Sequence, residues 1–148
     1  MTSPLIWLHE DYLHPHSPAL QAYPKAPRVF VFAQDPCVSL KRIVFQYECL
    51  LEIPSLEIRR GEIVNELVQA AREHGCQRIV TMSSVAPQWA TICARLRDDH
   101  QLPVEVFAPE PFINYAADEH ERSDLRRFSR YWHAIKARAL SLILPLIR

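Results

Sequence analysis

Glycine is scarce in this chain, which has only Gly61 and Gly75 among its 148 residues. The GxGxxG dinucleotide turn and the GxxxxGK loop both need closely spaced glycines, so neither motif is present. The sequence also contains no GxSxG nucleophile elbow and no HExxH zinc motif. The usual nucleotide-binding loops and two common classes of hydrolase site are therefore excluded.

The chain also lacks paired cysteines and long apolar runs. Cys37, Cys49, Cys76 and Cys93 form no CxxC pair, and their spacing matches no zinc pattern. The first residues have no basic region typical of a signal peptide, and no apolar stretch reaches the ~20 residues that span a bilayer. We therefore expect reduced thiols, no membrane span and a cytoplasmic protein.

Net charge is zero, but its distribution is uneven. Residues 1–121 contain 10 Lys and Arg against 16 Asp and Glu, whereas residues 122–148 contain 7 basic residues against Asp124 alone. The body is acidic and the tail is basic. Without an overall positive field, we expect no binding to DNA by this chain on its own.

Short apolar runs alternate with helical patterns over the first 110 residues or so. Five runs are typical of strands: Leu5–Leu8, Arg28–Ala33, Leu56–Arg59, Arg78–Met82 and Val104–Ala108. Helices are predicted between them, at Pro18–Ala22, after a Ser39 cap up to Pro54, at Glu62–His74 and at Pro87–Asp99. This alternation predicts an α/β fold with a five-stranded parallel sheet and helices on both faces.

Two of these helices carry apolar stripes that should face the sheet. The stripe of the second helix consists of Ile43, Tyr47, Leu50 and Leu51. The helix at 62–74 has a similar stripe and is followed by Gly75, which is expected to end it in a left-handed conformation.

A third pattern occupies the tail. Apolar residues spaced alternately by three and four form a heptad-like seam at Leu125, Phe128, Trp132, Ile135, Ala139, Leu142 and Leu146. We expect an α/β domain at 1–118 and a long basic helix at 119–148. That helix could pack on its own domain, or bind a second copy or a separate helical protein through Phe128, Trp132, Ile135 and Leu142. Binding to a membrane surface or to nucleic acid through its basic residues is a further alternative. We favour packing or a protein partner.

Polar residues follow several of the predicted strands, at the edge of the sheet where α/β proteins bind ligands. The candidate ligand-binding residues are His9, Glu10, Asp11, Gln34, Asp35, Arg59, Arg60, Ser83 and Ser84. Each has a structural alternative: the acidic loop could only shape a turn, the arginines could be surface charge, and the serines could cap the next helix. Trp89 and Phe112 could stack on a flat ring or simply pack. No motif indicates a catalytic residue or a metal site.

Several segments, in order, resemble the N-terminal α/β domain of DNA photolyases and cryptochromes. The first is LIWLHEDYLHPHSPAL, in which Trp7, Asp11 and Leu13 precede Pro-Ala-Leu at Pro18–Leu20. VFVFAQDP, IRRGEIVNELVQAAREHGCQRIV and FSRYW are similar to later segments of the same family. The family's basic pair after the tryptophan is His9-Glu10 here, which argues against a photolyase-like contact with DNA.

The resemblance implies a Rossmann-like three-layer α/β fold that could bind an antenna chromophore such as a folate, a deazaflavin or a flavin. It covers no flavin-binding catalytic domain, so we expect neither FAD bound in the catalytic mode nor independent photolyase activity. A separate flavin-domain protein or a second copy could dock on the tail helix. The alternatives are an interaction module without a ligand, and a nucleotide-binding hydrolase or transferase of the same fold.

Overall fold

The computed structural model describes residues 3–35 and 37–109, together with Trp132, His133, Lys136, Ala137 and Leu140. Contacts divide the chain into two compact units, Met1–Pro109 and Glu110–Arg148. The strands of the first unit are β1 (Leu5–Leu8), β2 (Arg28–Ala33), β3 (Leu56–Gly61), β4 (Ile79–Met82) and β5 (Val104–Phe107). Its helices are α1 (Pro18–Ala22), α2 (Leu40–Leu51), α3 (Ile63–Glu73) and α4 (Pro87–Asp98).

The five strands form one parallel sheet in the order β3-β2-β1-β4-β5. The chain adds strands outward from β1 to β3, then returns to pair β4 on the other side of β1. The direction therefore reverses between β1 and β4, which makes this pair the switch point of the sheet. The predicted α/β fold with a five-stranded parallel sheet is confirmed.

The core lies on both faces of the sheet, and β1 contributes to each. Alternate side chains point to opposite faces, so Leu5 and Trp7 pack with α3 and α4, while Ile6 and Leu8 pack with α1 and α2. This two-sided burial explains why the strand reads as an unbroken apolar run. The predicted three-layer arrangement follows directly.

Local signals fix most helix ends. The Ser17 hydroxyl accepts a hydrogen bond from the Leu20 backbone N–H (3.3 Å), and Ser39 caps α2 through the Arg42 N–H at the same distance. Gly75 follows the C-cap residue His74 of α3 and adopts a φ of 64°, the predicted left-handed conformation. A Cβ at the other glycine, Gly61, would overlap the Glu66 side chain.

The predicted apolar stripe of α2 is wrong in part. Leu50 is buried, but Ile43, Tyr47 and Leu51 are exposed, and the polar Gln46 is buried in their place. Burial of Gln46 is tolerated because its amide donates a hydrogen bond to the Glu10 carboxylate (2.8 Å). The apolar residues of this helix thus face mainly away from the sheet.

The predicted tail helix falls mostly outside the described residues. Trp132, His133, Lys136, Ala137 and Leu140 are helical, while Phe128, Ile135 and Leu142 lie outside the described part of the chain. The domain boundary at 118 and the partner-binding role of the tail stay predictions. None of the helices that the structure describes combines the length and hydropathy needed for a membrane crossing.

Candidate functional site

An open cleft of about 910 Å³ lies over the carboxyl ends of β1 and β2. Side chains from both faces of the sheet line it. Those on the side of α2 are Leu8, Phe30, Phe32, Val38, Ile43 and Gln46, and those on the side of α3 and α4 are Trp7, Val31, Ile63, Trp89 and Ile92. The position agrees with the general rule that open α/β sheets bind ligands outside the carboxyl ends of their strands.

The structure brings together most of the residues predicted to bind a ligand. The predicted residues that line the cleft are His9, Glu10, Asp11, Gln34, Asp35, Arg60 and Ser84. Arg59 and Ser83 do not line it. Trp89 borders the cleft, whereas Phe112 lies outside the described residues.

His9 joins β1 to β4 across the switch point. Its Nε2 lies 2.9 Å from the Met82 carbonyl oxygen, and because a carbonyl can only accept, Nε2 must donate this hydrogen bond. The ring is buried and meets Trp7 edge-on, with centroids 5.7 Å apart. His9 therefore forms part of the wall of the cleft and holds the two strand ends together.

Asp11 and Ser84 form a second connection between the loops after β1 and β4. The Ser84 hydroxyl donates to the Asp11 carboxylate and accepts a hydrogen bond from the Ala86 backbone N–H (2.9 Å) just before α4. The serine thus orders the turn before α4 but does not cap the helix, because Ala86 is at the N-cap position and α4 has no side-chain cap. Both side chains face the cleft, and each already takes part in a hydrogen bond within the protein.

Glu10 is bound to α2. One carboxylate oxygen, Oε2, accepts hydrogen bonds from Arg42 Nη2 and Gln46 Nε2, each at 2.8 Å. Sequence reasoning missed both donors, although a glutamine inside an apolar helix face was a signal that could have found Gln46. The negative charge of Glu10 is consequently compensated by the protein itself.

Asp35 shapes the loop that follows β2. Its Oδ1 accepts a hydrogen bond from the Cys37 backbone N–H (2.8 Å), the geometry of an Asx turn. The neighbouring Gln34 is exposed on the same rim of the cleft. The acidic side chains around the cleft are therefore all occupied, at least in part, by donors of the chain.

Arg59 and Arg60 point in opposite directions because β3 is longer than predicted. The strand continues to Gly61 and pairs with β2 along its length, so consecutive side chains alternate between faces. Arg60 reaches the cleft, is exposed, and forms no ion pair with any residue in the described ranges. Arg59 points to the α3 side and away from the cleft.

Arg59 is the centre of an ion-pair cluster with Glu57, Glu66 and Glu73, and its side chain is only 10% exposed. Burial disfavours its charge, but hydrogen bonds to Glu73 and Glu57 outweigh this and raise the pKa of Arg59. Hydrogen bonds from His74 and Arg59 lower the pKa of Glu57 below its usual 4.5. The cluster joins β3 to α3 and is structural in its geometry.

We expect Arg59→Leu to lower the free energy of unfolding by about 1.5 kcal/mol at neutral pH, because the partly buried carboxylates of Glu57 and Glu66 lose their cation. A depressed pKa stabilises the fold above the unfolded-state value and ceases to do so as pH falls through the folded-state value. The difference between wild type and variant should therefore shrink below the usual Glu57 pKa of 4.5. Urea unfolding at neutral pH and near pH 3 measures it.

The matched control is Arg72→Leu, which removes an exposed cation of α3 that has no ion pair within the described ranges. It should change stability little at either pH. A loss in Arg59→Leu that stays constant from neutral to acidic pH would indicate lost packing and would contradict an ion-pair role.

The cleft contains few groups suited to covalent chemistry. In the described part of the chain no serine or cysteine side chain is hydrogen-bonded to a histidine ring. Across the same residues, no three His, Cys, Asp or Glu side chains are grouped in a way that could bind a metal ion. Cys93 lies on the buried face of α4, and burial raises the pKa of its thiol to about 11, which disfavours the reactive thiolate.

The architecture places the chain in the class of Rossmann-like α/β domains. Among solved structures it is similar to a class III photolyase from Agrobacterium tumefaciens, with a TM-score of 0.64 and 18% sequence identity. The match covers 92% of this chain but 32% of that photolyase, so the chain spans about a third of its length. The photolyase-like fold implied by the resemblance is thus confirmed. No protein-family model matches the sequence, and no curated protein does so either.

Proposed function

We propose that this photolyase-like domain binds a planar, anionic small molecule in the cleft and performs no chemistry on it. A folate, a deazaflavin, a flavin or another nucleotide-like compound has the required combination of flat ring and negative charge. The observation that carries the proposal is a large apolar cleft whose described lining contains one guanidinium, that of Arg60, with no ion-pair partner among the described residues.

The size and walls of the cleft suit a ring system. Its volume of about 910 Å³ lies within the range of roughly 300–1,000 Å³ typical of small-molecule sites. Trp89 and Phe32 supply aromatic surface on opposite sides of the sheet edge, and Ile43, Ile63 and Ile92 add aliphatic surface. Such walls favour a flat apolar body over a sugar or a peptide.

Among the charged side chains around the cleft, Arg60 is the one suited to bind an anionic group of a ligand. Glu10 is neutralised by Arg42, Asp11 accepts from Ser84, and Asp35 accepts from a backbone N–H. Arg60 remains exposed and unpaired by described residues. A guanidinium of this kind binds carboxylate or phosphate through two parallel hydrogen bonds. A ligand carrying such a group should therefore bind more tightly than its neutral counterpart.

Flavin mononucleotide and riboflavin provide a matched pair of probes, because they share the ring and differ in the phosphate. We expect wild type to bind flavin mononucleotide more tightly than riboflavin. Arg60→Gln should weaken the mononucleotide by about fivefold and leave riboflavin nearly unchanged, since only the charged contact is lost. Fluorescence titration measures both affinities, and Arg97→Gln on exposed α4 surface is the control.

The absorption spectrum of freshly purified protein, with mass spectrometry of any released compound, tests the proposal without choosing a probe. A bound chromophore or nucleotide supports it. A colourless, ligand-free protein that takes up neither flavins nor folates would contradict it and would favour an interaction module instead. Turnover of a nucleotide by the purified protein would contradict the non-catalytic part.

A further inference from the structure

Helix α2 presents an apolar stripe to solvent. Leu40, Val44, Tyr47 and Leu51 follow one another at spacings of four, three and four, and are 75%, 51%, 46% and 60% exposed. The neighbouring face of the helix packs on the sheet through Leu50 and the hydrogen-bonded Gln46. Monomeric proteins seldom expose a contiguous apolar stripe of this kind, so such a surface indicates an interface.

The spacing is that of a short coiled-coil seam, in which residues at these positions meet those of a second helix. The seam is symmetric about its midpoint. In an antiparallel pair of α2 helices, Leu40 faces the partner subunit's Leu51, and Val44 faces the partner subunit's Tyr47. One stripe can therefore cover an identical one, which is what a two-fold interface requires.

The charged residues beside the stripe also match in an antiparallel pair of helices. Lys41 and Glu48 lie on one flank, are both exposed, and form no ion pair with described residues of their own chain. They are seven residues apart, about two helical turns, so they do not contact each other. In the antiparallel pair Lys41 approaches the partner subunit's Glu48, and the contact occurs twice by symmetry. A parallel pair offers no such match.

We propose that two copies of this chain associate through α2 in an antiparallel, two-fold arrangement. Apolar contact along the seam drives the association, and the two Lys41–Glu48 contacts set the orientation. A single helix pair is smaller than the roughly 800 Å² per partner of a standard interface, so the dimer should dissociate on dilution. The inference is independent of ligand binding in the cleft.

Charge reversal tests the proposal in the full chain. We expect sedimentation velocity over a concentration series to show a dimer of the wild type. Lys41→Glu and Glu48→Lys should each weaken it by about tenfold, because each turns two attractions into two repulsions. The double variant, and an equimolar mixture of the two single variants, should both recover wild-type affinity, since each restores opposite charges at both contacts.

Arg97→Glu and Asp98→Lys are the controls, because they reverse exposed charges on α4, across the sheet from α2. They should leave the dimer unchanged. A wild type that stays monomeric at every concentration would overturn the proposal, as would single variants that associate normally. Failure of the mixture to recover the dimer would also overturn it. If the two charges acted only within one chain, mixing the two variants would restore nothing, so recovery is specific to contact between two molecules.

Discussion

Replacing Leu67 by alanine should lower the free energy of unfolding by about 3 kcal/mol, a large part of the stability of a domain this size. Leu67 is fully buried in the middle of α3 and belongs to the core formed with β1, β2 and α4. The shorter side chain loses its transfer free energy and leaves a cavity that a rigid sheet cannot fill. Urea unfolding monitored by circular dichroism measures the change in midpoint.

Asn65→Ala in the same helix is the control. Its side chain is exposed, so its effect should stay within about 0.5 kcal/mol. The dependence on urea concentration should be the same in both variants and in wild type, because the same surface is exposed on unfolding. A loss below about 1 kcal/mol for Leu67→Ala would mean that this core is loosely packed and can close over the missing atoms.

The same helix shows how far local sequence determines this fold. The apolar periodicity of α3 and the position of Gly75 predicted its ends to within a residue, and the structure has it at Ile63–Glu73. A short buried strand such as β1 could be predicted equally well, because a strand covered on both faces has no polar side. Where burial alone determines which residues form an element, that element can be predicted from a single sequence.

Prediction failed where a residue's environment depends on a distant partner. Gln46 was not among the residues of α2 predicted to face the sheet, but it is buried because Glu10, 36 residues away in the chain, accepts its amide hydrogen bond. This hydrogen bond holds the Gln46 face of α2 against the loop after β1, while Tyr47 and Leu51 face solvent. The helix itself was predicted, but which of its faces packs on the sheet depends on the loop after β1.

The candidate site shows the same limit. The topology rule predicted that strand-end residues meet, and seven of the nine named residues do line one cleft. It could not show which arginine reaches the cleft, because that depends on where β3 ends: two more residues of strand send Arg59 and Arg60 to opposite faces. Nor could it show that His9 and Ser84 are held by partners 73 residues away.

Trp89→Leu should weaken binding of flavin mononucleotide and of riboflavin alike, by about thirtyfold. Stacking of a flat ring on an aromatic side chain is worth roughly 1–3 kcal/mol in the well-studied case of nucleobases, and Trp89 is the largest aromatic surface of α4 in the cleft. Arg60→Gln should have a different effect, because it weakens binding of flavin mononucleotide and leaves binding of riboflavin nearly unchanged. Together the two variants separate recognition of the ring from recognition of the charge.

Trp89→Phe is the matched variant, since it keeps a ring but removes the indole N–H. The Nε1 of Trp89 is buried and has no hydrogen-bond partner in the part of the chain that the structure describes. Removing this unsatisfied donor should therefore leave stability unchanged or raise it by about 1 kcal/mol. Flavin affinity should fall by no more than about threefold, because stacking persists. A loss in Trp89→Phe as large as that in Trp89→Leu would show that the indole N–H donates to the ligand, and the stacking argument would then be wrong.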